Sequence, residues 1–402
     1  MKHSFSTKRF WTAGFCAVLT LAFAGACAPV DSVPDDATTG GDPTAVVAEP
    51  GPWEFETAEH SIRVVTVADG FSYPYSMAFL PDGGLLVTEM GGQIRMVRDG
   101  ALLAEPVGVI PGVQHDGGSK GLMDIALHPD FSENQQIYFT YNKPGERGTT
   151  LALARGTFDG NQLADLTDIF LADAWAMTDA RQNARIAFGT DGLLYMTAAG
   201  GRSERDRAQN LSDHSGKTLR LRDDGTPAPG NPFDGREGQR PEIFTYGHNN
   251  IHGIAIYPDT GELWVVEHGD KVSALVAGRN YGWPFVRYGP STNPAPNPAP
   301  MGVQLTAPQI VWDPDVHISG VMFYTGDRFP EWTGDLFVGG LRTEQVNHVE
   351  LTESGPGIRE SLFTEIGQWV RDLRQGPDGL IYFTTYADPD APGRLMRIEP
   401  AE

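Results

Sequence analysis

The chain has 402 residues, 40% of them hydrophobic, and its 52 acidic against 30 basic side chains give a formal net charge of −22 at pH 7. A surface that acidic excludes nucleic acid and anionic lipid headgroups as natural partners, because it repels polyanions. The only cysteines are Cys16 and Cys27, which excludes disulfides, zinc–thiolate centres and cysteine nucleophiles from the globular part.

In chain order, the first segment is not fold. Lys2, Lys8 and Arg9 precede an apolar run from Phe10 to Phe23, which gives way to Ala24-Gly25-Ala26-Cys27. This is the pattern of an export signal over residues 1–27. Its lipobox-like end predicts a lipidated Cys27 that holds the mature protein at a membrane surface; simple cleavage near Ala26 or Ala28, giving a secreted protein, is the alternative. Both routes place the protein outside the cytoplasm, as a periplasmic or surface-facing lipoprotein or as a secreted one. Residues 28–59, rich in Pro, Ala, Thr, Asp and Gly, read as a flexible acidic linker. Residues 60–402 suffice for one large domain and no second of comparable size.

Within that domain one phrase recurs six times, a Pro/Asp/Gly turn followed by an apolar and β-branched burst. The copies are Pro81-Asp82-Gly83-Gly84 then LLVTE, His128-Pro129-Asp130 then QIYFTY, Gly189-Thr190-Asp191-Gly192 then LLYMTA, Pro258-Asp259-Thr260-Gly261 then ELWVVE, Trp332-Thr333-Gly334 then DLFVGG, and Gly376-Pro377-Asp378-Gly379 then LIYFTT. Each is a tight turn feeding a strand, and further strand-like runs (IRMVRD, TLRLRD, NHVELT, RLMRIE) lie between copies. A β-sandwich does not keep one turn phrase along the whole chain, and a β-helix repeats on a much shorter period. The expectation is an all-β fold, a six-bladed β-propeller, with its site in the central funnel. Pro290 to Pro300 (PSTNPAPNPAP) reads as an exposed loop inserted between blades.

From Ile62 to Pro400 the chain resembles the soluble-type sugar dehydrogenases that use pyrroloquinoline quinone (PQQ), the glucose and aldose sugar dehydrogenase family. The phrases that carry the resemblance are, in order, PYSMAFLPDGGLLVTE (Pro74 to Glu89), GLMDIALHPDF (Gly121 to Phe131), AFGTDGLLYMT (Ala187 to Thr197), GKTLRL (Gly216 to Leu221), YGHNNIHG (Tyr246 to Gly253), NYGWP (Asn280 to Pro284), YTGDRFP (Tyr324 to Pro330), WTGDLFVG (Trp332 to Gly339) and RDLRQGPDG (Arg371 to Gly379). The resemblance implies PQQ and calcium as cofactors and hydride transfer from C1 of a sugar held in the funnel. It also implies a histidine base oriented by an aspartate, and cationic side chains on the cofactor's carboxylates.

Residue by residue, the family positions are altered. Arg181 stands at the base position of the His-x-x-Gly-Arg phrase, while its terminal arginine is kept as Arg185; Gly200 stands where the orienting carboxylate belongs. An arginine always carries its proton and accepts no other. The cofactor-binding positions carried over are Ser119, Arg181, Asn249 (an arginine in the family), Asn250, Arg342 and Arg371, with Trp369 in place of a second arginine. For calcium the resemblance leaves Gly269 and Asp270, because the usual acidic loop is missing. His252 and His317 are the candidate replacements for the base.

Two other functions compete with sugar oxidation. One is a propeller that binds a sugar or cell-envelope ligand without redox chemistry. The other is a metal-dependent hydrolase, lactonase-like, built on His115, Asp116, His214, His248, His252 and His317 in the connecting loops. Arg202, Arg205 and Arg207, interleaved with Glu204 and Asp206, read as a solvated charged loop.

Overall fold

A computed structural model describes residues 51–177, 182–200, 204–268, 270–286, 298–312, 316–363, 366–386 and 392–401. The export signal, Cys27, most of the linker, Arg181, Arg202, Gly269 and residues 290–297 of the proline-rich insert lie outside them.

The recurring phrase builds the same hairpin in blade after blade. Gly83 and Gly379 take φ of 88° and 76°, and their N–H groups close the turns onto the carbonyls of Leu80 and Gly376, each at 3.0 Å. The strand that follows is buried on both faces, as in Leu85–Glu89, Leu194–Ala198, Leu263–Glu267 and Leu336–Gly340. A strand covered from both sides is apolar without alternation. The second copy departs from the pattern because no glycine follows Asp130. The chain there makes one helical turn, Phe131–Asn134, and reverses at Gln135, whose φ is 54°.

The strands form six antiparallel sheets, and the fold is a six-bladed β-propeller. The innermost strands are Pro74–Phe79, Leu122–Leu127, Ile186–Phe188, Ile251–Ile256, Ile318–Phe323 and Trp369–Gln375, in blades 1 to 6. Each packs against the next, and the sixth against the first, closing a ring. Blade 6 is assembled from both ends of the domain: Ser61–Phe71 pairs with Gly393–Pro400, from Ile62↔Pro400 to Phe71↔Gly393.

A further strand, Trp53–Glu56, adds to the outer edge of blade 6 by pairing with Ser61 to Val64. Ordered structure thus begins inside the 28–59 segment read as linker. Trp53 and Phe55 pack on the blade 5–6 core around Trp332, Phe337 and Phe363, and two aromatic anchors suffice to order a short strand.

Candidate functional site

In five blades the innermost strand carries one extra residue close to its start; in blades 1, 4 and 6 it is a single residue passed over between successive pairs. Pairing runs Pro74↔Glu89 then Ser76↔Thr88, Ile251↔Glu267 then Gly253↔Val266, and Val370↔Thr385 then Asp372↔Thr384. The unpaired residues are Tyr75, His252 and Arg371. A β-bulge of this kind turns a side chain away from the regular pleat, and here it does so at equivalent positions of blades 1, 4 and 6.

Directly below, the propeller axis is closed by a charged network. Arg185, 1% exposed, places Nη1 3.0 Å from Asp372 Oδ1 and 3.4 Å from Asp124 Oδ1. The Ser76 hydroxyl lies 2.6 Å from Asp124 Oδ1 and 2.9 Å from Asp372 Oδ2. Arg374 reaches the same two carboxylates at 3.2 and 3.3 Å. Two guanidinium groups and two carboxylates balance, as a buried ionic cluster must. Where blades 4 and 5 complete the ring the chain has Gly253 and Gly320. A Cβ at Gly320 would lie 2.7 Å from the Asp372 Cα, and one at Gly253 2.8 Å from the Ser319 carbonyl oxygen.

Arg371 is handled differently. It is 3% exposed, its guanidinium lies 4.1 Å from the centre of the Tyr75 ring, and its Nε faces no acceptor. Among the described residues no carboxylate pairs with it. Tyr75 Oη, Asn250 Oδ1 and Gln182 Oε1 are also buried without a partner. Native interiors leave few such atoms, and a buried cation without a counter-ion costs several kcal/mol. Arg371 and the Tyr75 hydroxyl on which it lies offer an anion a cation and an O–H donor.

His252 stands at the bulge of blade 4, partly exposed, between two amides: Asn183 Nδ2 lies 3.3 Å from its Nδ1 and Asn250 Nδ2 3.3 Å from its Nε2. The loop before it is held by a buried cluster. Glu267 accepts the Asn249 N–H at 2.8 Å and pairs with Lys271 at 3.0 Å and His248 at 3.4 Å. Burial pushes the Glu267 carboxyl up, but Lys271 and His248 outweigh it and hold it at about 2. Burial lowers His248, which is neutral, stacked on Tyr281 at 4.6 Å, with its Nε2 2.7 Å from the Thr245 hydroxyl. His248 supports the loop, and His252 faces the space.

A row of rings runs along the mouth. Trp369 meets Tyr386 edge-on at 5.5 Å, Tyr386 lies 6.0 Å from Tyr73, and Tyr73 lies 5.7 Å from His115. Tyr73 is held at φ 49°, a conformation that costs an aromatic residue about 1–3 kcal/mol and persists where surroundings impose it. Nothing in the local sequence marked Tyr73 or Tyr75; the bulges and this strained residue become visible only when strands are paired.

The family model described as Glucose / Sorbosone dehydrogenase matches residues 71–397. The chain belongs to that family. The aldose sugar dehydrogenase of Escherichia coli is 32% identical over 356 residues, covering 85% of this chain and 94% of the relative. A Synechocystis protein named as uncharacterized is 37% identical over 360 residues, covering 84% and 86%. The PQQ-bound structure of an aldose sugar dehydrogenase from Streptomyces coelicolor has a TM-score of 0.69 at 26% identity, covering 87% of this chain and 100% of that one.

Against the family pattern, the other carried-over residues fall as follows. Ser119 donates its hydroxyl and N–H to Asp116, at 2.6 and 2.9 Å. Burial acts to raise Asp116, but these bonds and the Lys120 N–H lower it on balance. Asn249 is buried, and its carbonyl accepts the Gly200 N–H at 2.9 Å. Around Gly200 an added Cβ would meet nothing closer than 3.5 Å, so there is room for a side chain where the family carboxylate belongs. Arg342 is partly exposed; Arg181 and Gly269 lie outside the described residues.

Asp270 is occupied: its carboxylate accepts the N–H groups of Val316, His317 and Ile318 at 2.6, 3.0 and 3.1 Å. It clips the entry of the fifth inner strand, and His317 follows with φ 50°. Calcium requires six or more oxygens. The described residues do not assemble that set, and no three of their His, Cys, Asp or Glu side chains are gathered for a metal. His214 is tied to the Asp173 N–H and to Glu242, and His115 donates from Nδ1 to the Lys120 carbonyl.

Proposed function

We propose that the funnel binds PQQ and an aldose and oxidises the sugar at C1. The observation that carries this reading is Arg371, a buried guanidinium with no counter-ion among the described residues, lying on the ring of Tyr75, whose Oη is likewise without a partner. Arg371 and the Tyr75 hydroxyl fit a ligand that brings a carboxylate, which the guanidinium pairs with and the hydroxyl donates to; the Asn250 and Gln182 amide oxygens accept from a ligand N–H or O–H. PQQ supplies, when bound, the hydride acceptor that C1 oxidation needs. The family match and the PQQ-bound Streptomyces relative support the assignment.

The chain's own part is binding and proton transfer. His252 receives the proton of the C1 hydroxyl in place of the base that Arg181 does not provide. A neutral imidazole has one N–H and one lone pair; the ring nitrogen that carries the lone pair, facing the Asn183 or the Asn250 amide N–H₂, is the atom that takes the proton. Trp369, Tyr386 and Tyr73 offer ring faces to the apolar side of a pyranose. The protein works outside the cytoplasm, anchored through Cys27 or secreted.

The test is a titration of the purified chain with PQQ, followed by tryptophan fluorescence and melting temperature, then dye reduction with a panel of aldoses. Saturable binding with sugar-dependent dye reduction that is lost in His252→Asn is the expected result. The alternative, a ligand-binding propeller without turnover, is favoured by Asn249 and Gly200 at family positions that carry charge. It predicts PQQ-independent sugar binding and no dye reduction.

A further inference from the structure

We infer that Arg185 is the positioning residue of the funnel, fixing His252 and Arg371 relative to each other from beneath; the inference rests on the functional reading of those two residues. Arg185 Nε donates to the His252 carbonyl at 2.6 Å, and Nη2 to the Arg371 carbonyl at 3.2 Å. Nη1 meets Asp372 and Asp124, and the guanidinium lies 4.5 Å from the centre of the Tyr75 ring. One planar group therefore touches the bulged positions of blades 1, 4 and 6 together.

A bulge interrupts pairing with the neighbouring strand, so its residue is less firmly held than the rest of the ladder. Backbone carbonyls released in a dry interior need donors. Arg185 supplies both donors from a rigid fork, and its own orientation is set by the two aspartates. The separation between the proton acceptor on blade 4 and the anion clamp on blade 6 is thus a property of one side chain. Being 1% exposed, it touches no ligand and acts only through the residues it holds. Lysine keeps the charge but offers three donors from a single point, and cannot span two carbonyls and two carboxylates.

The test compares Arg185→Lys, Asp372→Asn and Val338→Ala in the full chain. Val338 is buried in blade 5, away from the funnel, and serves as the core variant that lowers the melting temperature by packing alone. Two readouts are taken: the NMR titration of the His252 ring, assigned by its loss in His252→Asn, and PQQ affinity by tryptophan fluorescence. Arg185→Lys is expected to shift the His252 titration and to weaken PQQ at least tenfold. Asp372→Asn, which keeps the fork but removes one anchor, gives a smaller change in the same direction, and Val338→Ala moves neither. An unchanged His252 titration in Arg185→Lys overturns the inference, as does an equal shift in Val338→Ala. If Arg185→Lys does not fold, Asp372→Asn decides by the same criterion. If the unmodified chain binds no PQQ, the functional reading fails while the His252 titration still decides the role of Arg185.

Discussion

Arg185 and Arg371 lie against the same tyrosine ring, yet among the described residues only Arg185 meets carboxylates. Contact with the Tyr75 ring returns about 0.5–2 kcal/mol to Arg371, less than burial of a lone cation costs. Arg371→Met is therefore expected to leave the melting temperature unchanged or raised while PQQ affinity falls at least tenfold, the stability–function opposition of a binding residue. A fall in melting temperature with affinity intact would show that Arg371 is structural.

His348 offers a second test at this scale. Its ring lies between Asp335 at 2.8 Å and Glu360 at 3.1 Å; burial lowers its pKa, but the two carboxylates outweigh burial and raise it. A group with a raised folded pKa stabilises fully below its unfolded value, near 6.5, and loses that contribution as pH rises through the folded value. Thermal melts from pH 5.5 to 8.5 should show this loss, and His348→Gln should flatten that part of the profile. Arg371 was legible in the RDLR phrase because its residue type survives from the family. The partners of Asp270 were not, since they lie 46 to 48 positions away and no local pattern marks a carboxylate that clips a distant loop.

Strand elements were more legible than the irregularities within them. The turn phrase located Leu85–Glu89 to the residue and Leu263–Glu267 to within one, because Pro and Gly restrict the backbone locally. The bulges at Tyr75, His252 and Arg371 depend on which neighbour each residue faces, and that is settled only by pairing. Equally hidden was the packing that demands glycine at position 320. Gly320→Ala pushes a methyl group against the Asp372 backbone and is expected to cost roughly 2–4 kcal/mol, as overpacking of a rigid core does. A melting temperature within a degree of the unmodified chain would mean that the axis can relax around it.

For the molecule as a whole, six blades were readable from six turns, but the closure was not. Ile62 and Pro400 pair across almost the entire domain, and the flanking ion pairs of Glu399 with Arg63 and Arg397 are partly exposed and worth little singly. The paired backbone itself does the closing. A chain that starts at Ser61 loses only the edge strand and should melt a few degrees lower. A chain that starts at Ser72 loses the second-outermost strand of blade 6 and should not fold cooperatively, which circular dichroism melts will separate.

The buried ion cluster on the axis has a consequence for traffic. Arg185, Asp124 and Asp372 meet between the innermost strands, so a ligand held by His252 and Arg371 as proposed has this cluster at its back. On the proposed function, sugar bound over PQQ should slow its escape, and stopped-flow displacement in the presence and absence of sugar measures that delay directly.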